Sequence, residues 1–294
     1  MKTLSISKLQ PALAALAICI AMAACQKNEL SANGGNAAGK SSINIYLTDD
    51  QSLVFDHVFL DINKVEIKVE DSSEDKHESE HQSETDDNDN KGDVSGGWIS
   101  VNIHQGVYDI LAFRNGLDTL FASSSFPSTK GLKKVRLTLG TSNSVQSNGI
   151  TSPLVLKNND NFVVIKIDES MVQLNSGGLT NFWIDIDAGR SIKKHGNEFE
   201  LKPSVKVFSK EKAGSLEGRV SPKDAASIVM AINGADTTSA KPEAEGEFKF
   251  IGLKPGTYSL LFHATANNYL DTTINNIRVT GKEDVKVATV VLHK

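Results

Sequence analysis

Apolar residues fall at every second position along most of this chain, and nowhere do they form a long stripe at helical spacing. Val65, Ile67 and Val69 alternate with Lys64, Glu66, Lys68 and Glu70. Ile43, Ile45 and Leu47 do the same against Asn44, Tyr46 and Thr48. The pattern returns at Ile99–Ile103, Val135–Leu139, Val163–Ile167 and Phe182–Ile186. Side chains of a strand point to alternate faces, so each segment has one face to bury. Sheets packed on one another cover such faces, and the Gly, Asn and Ser between the segments supply the turns of an antiparallel sandwich or barrel. The expected fold class is all-β. Phe199, Leu201, Val205 and Val207 read as one further strand, with Pro203 placing it at an edge or bulge. A short helical turn is expected over Asn115–Ser124.

A charged, Gly-containing joint at Ser209–Gly214 divides the chain. Beyond it, strands are expected at Leu216–Val220, Ile228–Ile232, Glu247–Ile251, Thr257–Ala264, Asn276–Val279 and Val285–Leu292. That is the content of one small β-sandwich. Leu253-Lys254-Pro255-Gly256-Thr257-Tyr258 spells a turn in which Pro255 sets φ and Gly256 takes the positive value. The expectation is two β-sandwich domains, a larger one over 43–208 and a smaller one over 213–294.

The N-terminus carries a different signal. Lys2 and Lys8 precede an apolar run, Pro11 to Ala24, of 14 residues. A membrane-spanning helix needs ~20, and the charge pattern is that of an export signal. Met22-Ala23-Ala24-Cys25 ends the run, and the whole resembles a bacterial lipoprotein signal peptide. The resemblance implies that residues 1–24 are removed, that Cys25 is lipidated, and that the lipid holds the protein in the outer membrane. Cys19 lies inside the signal, so the mature chain would have no free thiol and no disulfide. Gln26-Lys27-Asn28-Glu29 resembles the short signal that sends some Gram-negative lipoproteins to the cell surface. Residues 25–42 read as a flexible tether.

Two further resemblances cover most of the remainder. Gly214-Ser215-Leu216-Glu217-Gly218-Arg219-Val220, Gly246-Glu247-Phe248-Lys249-Phe250 and Gly252-Leu253-Lys254-Pro255-Gly256-Thr257-Tyr258 resemble the carboxypeptidase regulatory-like domain, a transthyretin-like sandwich. In that family such modules are non-catalytic spacers or interaction modules, and some relatives sit in folds that bind carbohydrate. Tyr258, Phe262 and Tyr269 match no sugar-binding pattern and read equally as core or surface aromatics. The first region resembles the DUF4382 family of bacterial lipoprotein domains. The resemblance rests on Leu47-Thr48-Asp49, Val58 through Ile67, Trp98 after an acidic loop, and Tyr108-Asp109-Ile110-Leu111. It continues through Lys134-Val135-Arg136-Leu137, Asp185-Ile186-Asp187, Arg190-Ser191-Ile192 and Phe199-Glu200-Leu201-Lys202-Pro203. It implies architecture and location and supplies no chemistry.

The net charge of −5 offers no basic surface for nucleic acid. Residues 70–93 hold eleven Asp or Glu against two Lys, a net of −9, which leaves +4 for the rest. Inside that window His77-Glu78-Ser79-Glu80-His81 is a literal H-E-x-x-H. A zinc protease needs this motif on a helix with a buried face. No apolar residue occurs from Asp71 to Asp93, so the composition predicts a disordered loop over 70–93. Weak divalent binding, calcium or zinc, through His77, Glu78, His81, Asp86, Asp87 and Asp89 is the more plausible chemistry. Beside it stands the plainer reading of a solvated insertion. Asp49, Asp50, Asp185 and Asp187 form a second candidate cation site, with Asp185 and Asp187 sharing a strand face. Two exposed carboxylates opposite buried Ile184 and Ile186 are more often just the polar side of a sheet. No nucleophile elbow or Gly-rich phosphate cradle appears, and no resident cofactor is indicated.

The expected function is therefore non-enzymatic: an envelope-anchored binding module whose ligand, glycan, protein or cation, stays open. The alternative is a structural or accessory subunit of a surface appendage or envelope complex. A zinc-dependent hydrolase is the remote third, resting on His77, Glu78 and His81 alone.

Overall fold

In the computed structural model, which describes residues 39–49, 55–71, 97–157, 161–196 and 198–294, the alternating segments fold as strands. The N-terminal region supplies β1 (Lys40–Thr48), β2 (His57–Asp71), β3 (Trp98–Ile103), β4 (Gly106–Asp109), β5 (Thr119–Pro127), β6 (Lys130–Leu139) and β7 (Ser144–Ser147). It continues with β8 (Ile150–Leu156), β9 (Phe162–Lys166), β10 (Leu179–Ile186), the helical turn α1 (Ala188–Ser191), β11 (Ile192–His195), β12 (Glu198–Leu201) and β13 (Val205–Phe208). The C-terminal region supplies β14 (Gly214–Ser221), β15 (Ile228–Asn233), β16 (Asp236–Ala240), β17 (Glu247–Leu253), β18 (Gly256–His263), β19 (Thr272–Val279), β20 (Asp284–Lys286) and β21 (Val290–Val291). The protein is all-β.

Two layers build the first region. In one, β1 pairs antiparallel with β5 and parallel with β10, and β10 pairs antiparallel with β13. In the other, β2 lies between β3 and β6, and β6 pairs with β9. Pairing of β3 with β5 joins the layers along one side, and β9 meets β13 on the other. The alternation decides what fills the space between. Ile43, Ile45, Leu47, Val65, Ile67, Val135, Leu137, Phe182 and Ile184 share one buried cluster. In the second region the sheets β17-β14-β20 and β16-β15-β18-β19 enclose a separate core around Leu216, Val229, Phe248, Leu260 and Phe262.

Several expectations change in detail. The helical turn over Asn115–Ser124 is absent; Thr119–Pro127 forms β5, because Phe121 and Ala122 are buried against β1 and pairing outweighs weak local preference. A short 3-10 turn sits earlier, at Ile110–Phe113. The strand read through Pro203 breaks there. β12 pairs with β11 and β8, whereas β13 crosses to pair with β10, since proline cannot donate to a ladder. Glu70 and Asp71, expected to open the acidic loop, continue β2 opposite Gly131 and Lys130. β16 was not legible, because Asp236-Thr237-Thr238-Ser239-Ala240 carries no apolar alternation. The positive φ of the Pro255 turn belongs not to Gly256 but to Gly252, at 69°.

A Cβ on Gly252 would also lie 2.5 Å from the Phe208 ring. Gly252→Ala is therefore expected to lose about 2 kcal/mol or more, from backbone strain and overpacking together. Urea unfolding reads the loss, and an unchanged midpoint would contradict it.

Candidate functional site at the junction of the two regions

The outer face of β1, β10 and β13, opposite the core, carries cross-strand rows set by register. One row is Tyr46, Trp183 and Phe208. Tyr46 stacks on Trp183 at 4.7 Å between centroids, and Trp183 on Phe208 at 6.0 Å. These rings meet Met171, Ala213 and, from the C-terminal region, Ile251 in one apolar cluster. The Trp183 indole N–H donates to Asp118 at 2.7 Å, and Lys210 sits over the same ring at 4.4 Å while bridging to Asp118 at 3.1 Å. An aromatic ladder on the supposedly polar face of a sheet marks where a second body lands.

The next row is Thr48, Asp185 and Lys206. Here the expectation of exposed carboxylates is corrected. Asp185 is 4 % exposed and Asp187 7 %; Asp185 and Asp49 face Thr238, Ser239 and Phe250 of the second region across a small cavity. They do not share a strand face either. β10 ends at Ile186, and Asp187 caps α1 by accepting from the Arg190 N–H at 2.8 Å. Asp49 is buried too, accepting from the Ala188 N–H at 3.4 Å. Lys206 lies 4.0 Å from Asp185, and Arg190 lies 3.3 Å from Asp187. Asp50 falls outside the described residues, as do Cys25, His77, Glu78, His81, Asp86, Asp87 and Asp89. Among the described residues no group of three or more His, Cys, Asp or Glu is placed to hold a metal.

Beside the aromatic joint the two regions leave a cleft of about 330 Å³. Its floor includes Met171, Phe208, Ala231, Leu253 and Tyr258, all buried. Its walls carry Lys166, Arg190, Lys206 and Lys254, with Asp168 and Asp236. Arg190 crosses the cleft to donate to the Thr237 carbonyl at 3.1 Å. Hydrogen bonds from the Ser170 hydroxyl and N–H hold the Asp168 carboxyl below the usual carboxylate range, with Lys254 adding to the effect. Burial pushes the Tyr258 phenol up, so it stays a donor, to the Lys254 carbonyl at 2.9 Å. An apolar floor with charged groups of both signs around it suits a polar ligand held by hydrogen bonds and ion pairs. Of the aromatics considered for sugar contact, Tyr258 and Phe262 are core residues, and Tyr269 is half-buried under Lys294. The cleft itself was not legible, since its residues come from elements far apart in the chain.

Among solved structures, a cohesin–dockerin complex from Acetivibrio cellulolyticus matches 27% of the chain at 23% identity, with a TM-score of 0.22. The match spans about half, 56%, of that protein. The shaft pilin SpaA of Lactobacillus rhamnosus GG matches 87% of this chain and 98% of its own, at 7% identity and a TM-score of 0.22. The minor pilin GBS52 of Streptococcus agalactiae matches 87% and 96%, at 10% identity and a TM-score of 0.21. Similarity this low carries no functional argument. No curated protein sequence matches the chain. A family profile, described as a domain of unknown function, matches residues 40–203, from the first residue of β1 to the proline that separates β12 from β13. Through that match, which spans more than half of its length, the chain belongs to the DUF4382 family.

Proposed function

We propose that this protein is a lipid-anchored envelope protein that acts as a non-enzymatic binding module. In this reading Cys25 carries the lipid, and the tether ends at β1, whose first residues, Lys40–Ser42, pair with β5 and so belong to the first domain and not to the tether expected over 25–42; the domains are then 40–208 and a transthyretin-like 213–294. The observation that supports it best is the cleft at the junction, with an apolar floor from both regions and Lys166, Arg190, Lys206 and Lys254 around it. A tether brings a rigid body to the surface, and a stacked joint keeps the two walls of the cleft at one spacing, which lowers the ordering cost of binding.

The anchor has a direct test. Cells fed labelled palmitate are expected to incorporate label into this protein, and Cys25→Ser should abolish incorporation and release the chain from the membrane fraction. Label that survives the substitution would end the lipoprotein reading. The binding role is tested by a glycan array probed with the full chain in detergent, alongside co-purification for a stoichiometric envelope partner. Neither a glycan nor a protein partner would overturn the module.

A further inference from the structure

In the C-terminal region the links from β14 to β15 and from β16 to β17 enclose a second pocket, of about 450 Å³. It shares no lining residue with the junction cleft. Pro222, Ala226, Ile228, Pro242 and Ala244 give it largely apolar walls. Those walls are tied together. The Val220 N–H donates to the Gly246 carbonyl at 2.9 Å, and Gly246, at a φ of 82°, has the Val220 carbonyl where a Cβ would stand. The Thr265 N–H and hydroxyl donate to the Ala225 and Ala226 carbonyls at 3.0 and 2.6 Å, which fixes the short 3-10 turn Lys223–Ala225. A pocket formed in advance costs little to order on binding.

Two polar groups of this pocket are unused. Ser227 lines it and is 8 % exposed, yet its Oγ has no hydrogen-bond partner among the described residues. Buried hydroxyls are normally bonded, so this one calls for a partner that the chain does not supply. Serine moves between staggered χ1 wells, and with no bond to break the hydroxyl turns readily toward an occupant of the cavity. Lys223 is the second: its ammonium makes no ion pair among the described residues. The remaining charged groups of the lining are engaged. Lys241 has a partner of its own, and Glu243 accepts from Asn115 Nδ2 at 2.5 Å.

We propose that this pocket binds an apolar monocarboxylate, a small free acid or the last residue of a peptide. The carboxylate accepts from the Ser227 hydroxyl and from Lys223, and the apolar body lies against Pro222, Ile228 and Pro242. Both unused groups are donors, which calls for an acceptor with two oxygens. A single unpaired cation, with the Glu243 carboxylate in the same lining, holds the ligand to one negative charge; a phosphate dianion would enter partly uncompensated. The site goes beyond the junction cleft and does not depend on it.

The test titrates the full chain in detergent by saturation-transfer NMR. The probes are 4-methylpentanoate and N-acetyl-leucine, which share a branched body and differ in the peptide bond; N-acetyl-leucine amide, without the charge, is the comparator. At least one acid should bind with a dissociation constant of about 1 mM, as suits about a dozen non-hydrogen atoms, and the amide far more weakly. Tighter binding of N-acetyl-leucine identifies a peptide end, and equal or tighter binding of 4-methylpentanoate a free acid. Ser227→Ala should weaken the acid roughly tenfold and leave the melting temperature of the free protein unchanged or raised, because no hydrogen bond is lost. Lys223→Gln should weaken the acid several-fold and abolish its advantage over the amide. Binding by neither acid, equal binding of the amide, or full affinity in Ser227→Ala would overturn the proposal. A lowered melting temperature in Ser227→Ala would overturn it too, by giving the hydroxyl a structural role. Binding kept in Ser227→Ala and lost in Lys254→Ala would place the acid in the junction cleft, which sinks this pocket and leaves the binding module standing.

Discussion

Phe208→Ala is expected to split the thermal unfolding of this protein into two transitions. Phe208 is 1 % exposed and belongs to neither main core. It sits in the small cluster with Met171, Trp183, Ala213, Tyr46 and Ile251, and the backbone of Gly252 passes over its ring. Truncating a buried phenylalanine costs about 3–5 kcal/mol. At most other core sites that loss would lower the stability of one region. Here it removes the largest buried ring at the joint between two regions, each with its own core, and leaves chiefly polar contacts such as that of Arg190 with the Thr237 carbonyl. The chain turns directly after Phe208, with the Ser209 N–H bonded to the Met171 carbonyl at 2.7 Å and the Ala213 N–H to Ser209 at 2.8 Å, so the connection alone is short. The parent protein should melt in one calorimetric transition. The variant should show two, the lower displaced by roughly 10 °C for a region of this size. Phe126→Ala is the control, since Phe126 packs only in the N-terminal core and should shift without splitting. A Phe208→Ala melt that moved as one peak would mean that the regions are coupled elsewhere.

The contrast between Phe208 and the core residues shows where sequence reading succeeds. Val65, Ile67, Val135 and Leu137 were legible as core because period two is a local property, and each is buried as the pattern requires. Trp183, Asp185 and Phe208 were not legible as a joint. Trp183 and Asp185 occupy the positions that alternation assigns to solvent, yet both are buried, Trp183 among Tyr46, Met171, Phe208 and Ile251 and Asp185 facing Phe250. The one clue was chemical, a tryptophan between Phe182 and Ile184 on a face otherwise polar. Cross-strand alignment fails for another reason. Lys68, Lys134 and Lys166 stand in line across β2, β6 and β9, and that depends on register, which the pairing of β2 with β6 shifts at Asn63 of β2 and again at Lys133 of β6. The cleft depends on β13 leaving its sequence neighbour β12 to join β10. Pro203 signalled a disturbance there without saying where the chain would go.

Arg136→Ala is expected to lose about 3 kcal/mol at neutral pH, and the loss should shrink in acid. Glu66 lies on the outward face of β2 yet is 5 % exposed, because Arg136, Lys64 and the Trp98 side close over it. Arg136 donates Nε and Nη2 to one Glu66 oxygen, each at 2.7 Å, and lies over the Trp98 ring at 4.4 Å. Breaking a buried pair by removing one partner costs about 3–5 kcal/mol, and Lys64, still 2.6 Å from the other oxygen, holds the loss to the low end. Burial alone would raise the Glu66 carboxyl; the hydrogen bonds and charge of Lys64 and Arg136 outweigh it and leave it below its ordinary value. A carboxyl lowered on folding stabilises the protein above its unfolded value, near 4.3, and that contribution fades as pH falls through the lower folded value. Removing Arg136 reduces the lowering, so the stability curves of parent and variant should converge below about pH 4. Urea unfolding at pH 7 and pH 3 measures both ends. A difference that persisted undiminished at pH 3 would assign the loss to packing, the guanidinium on Trp98 and, at 5.9 Å, on Phe162, rather than to its charge beside Glu66.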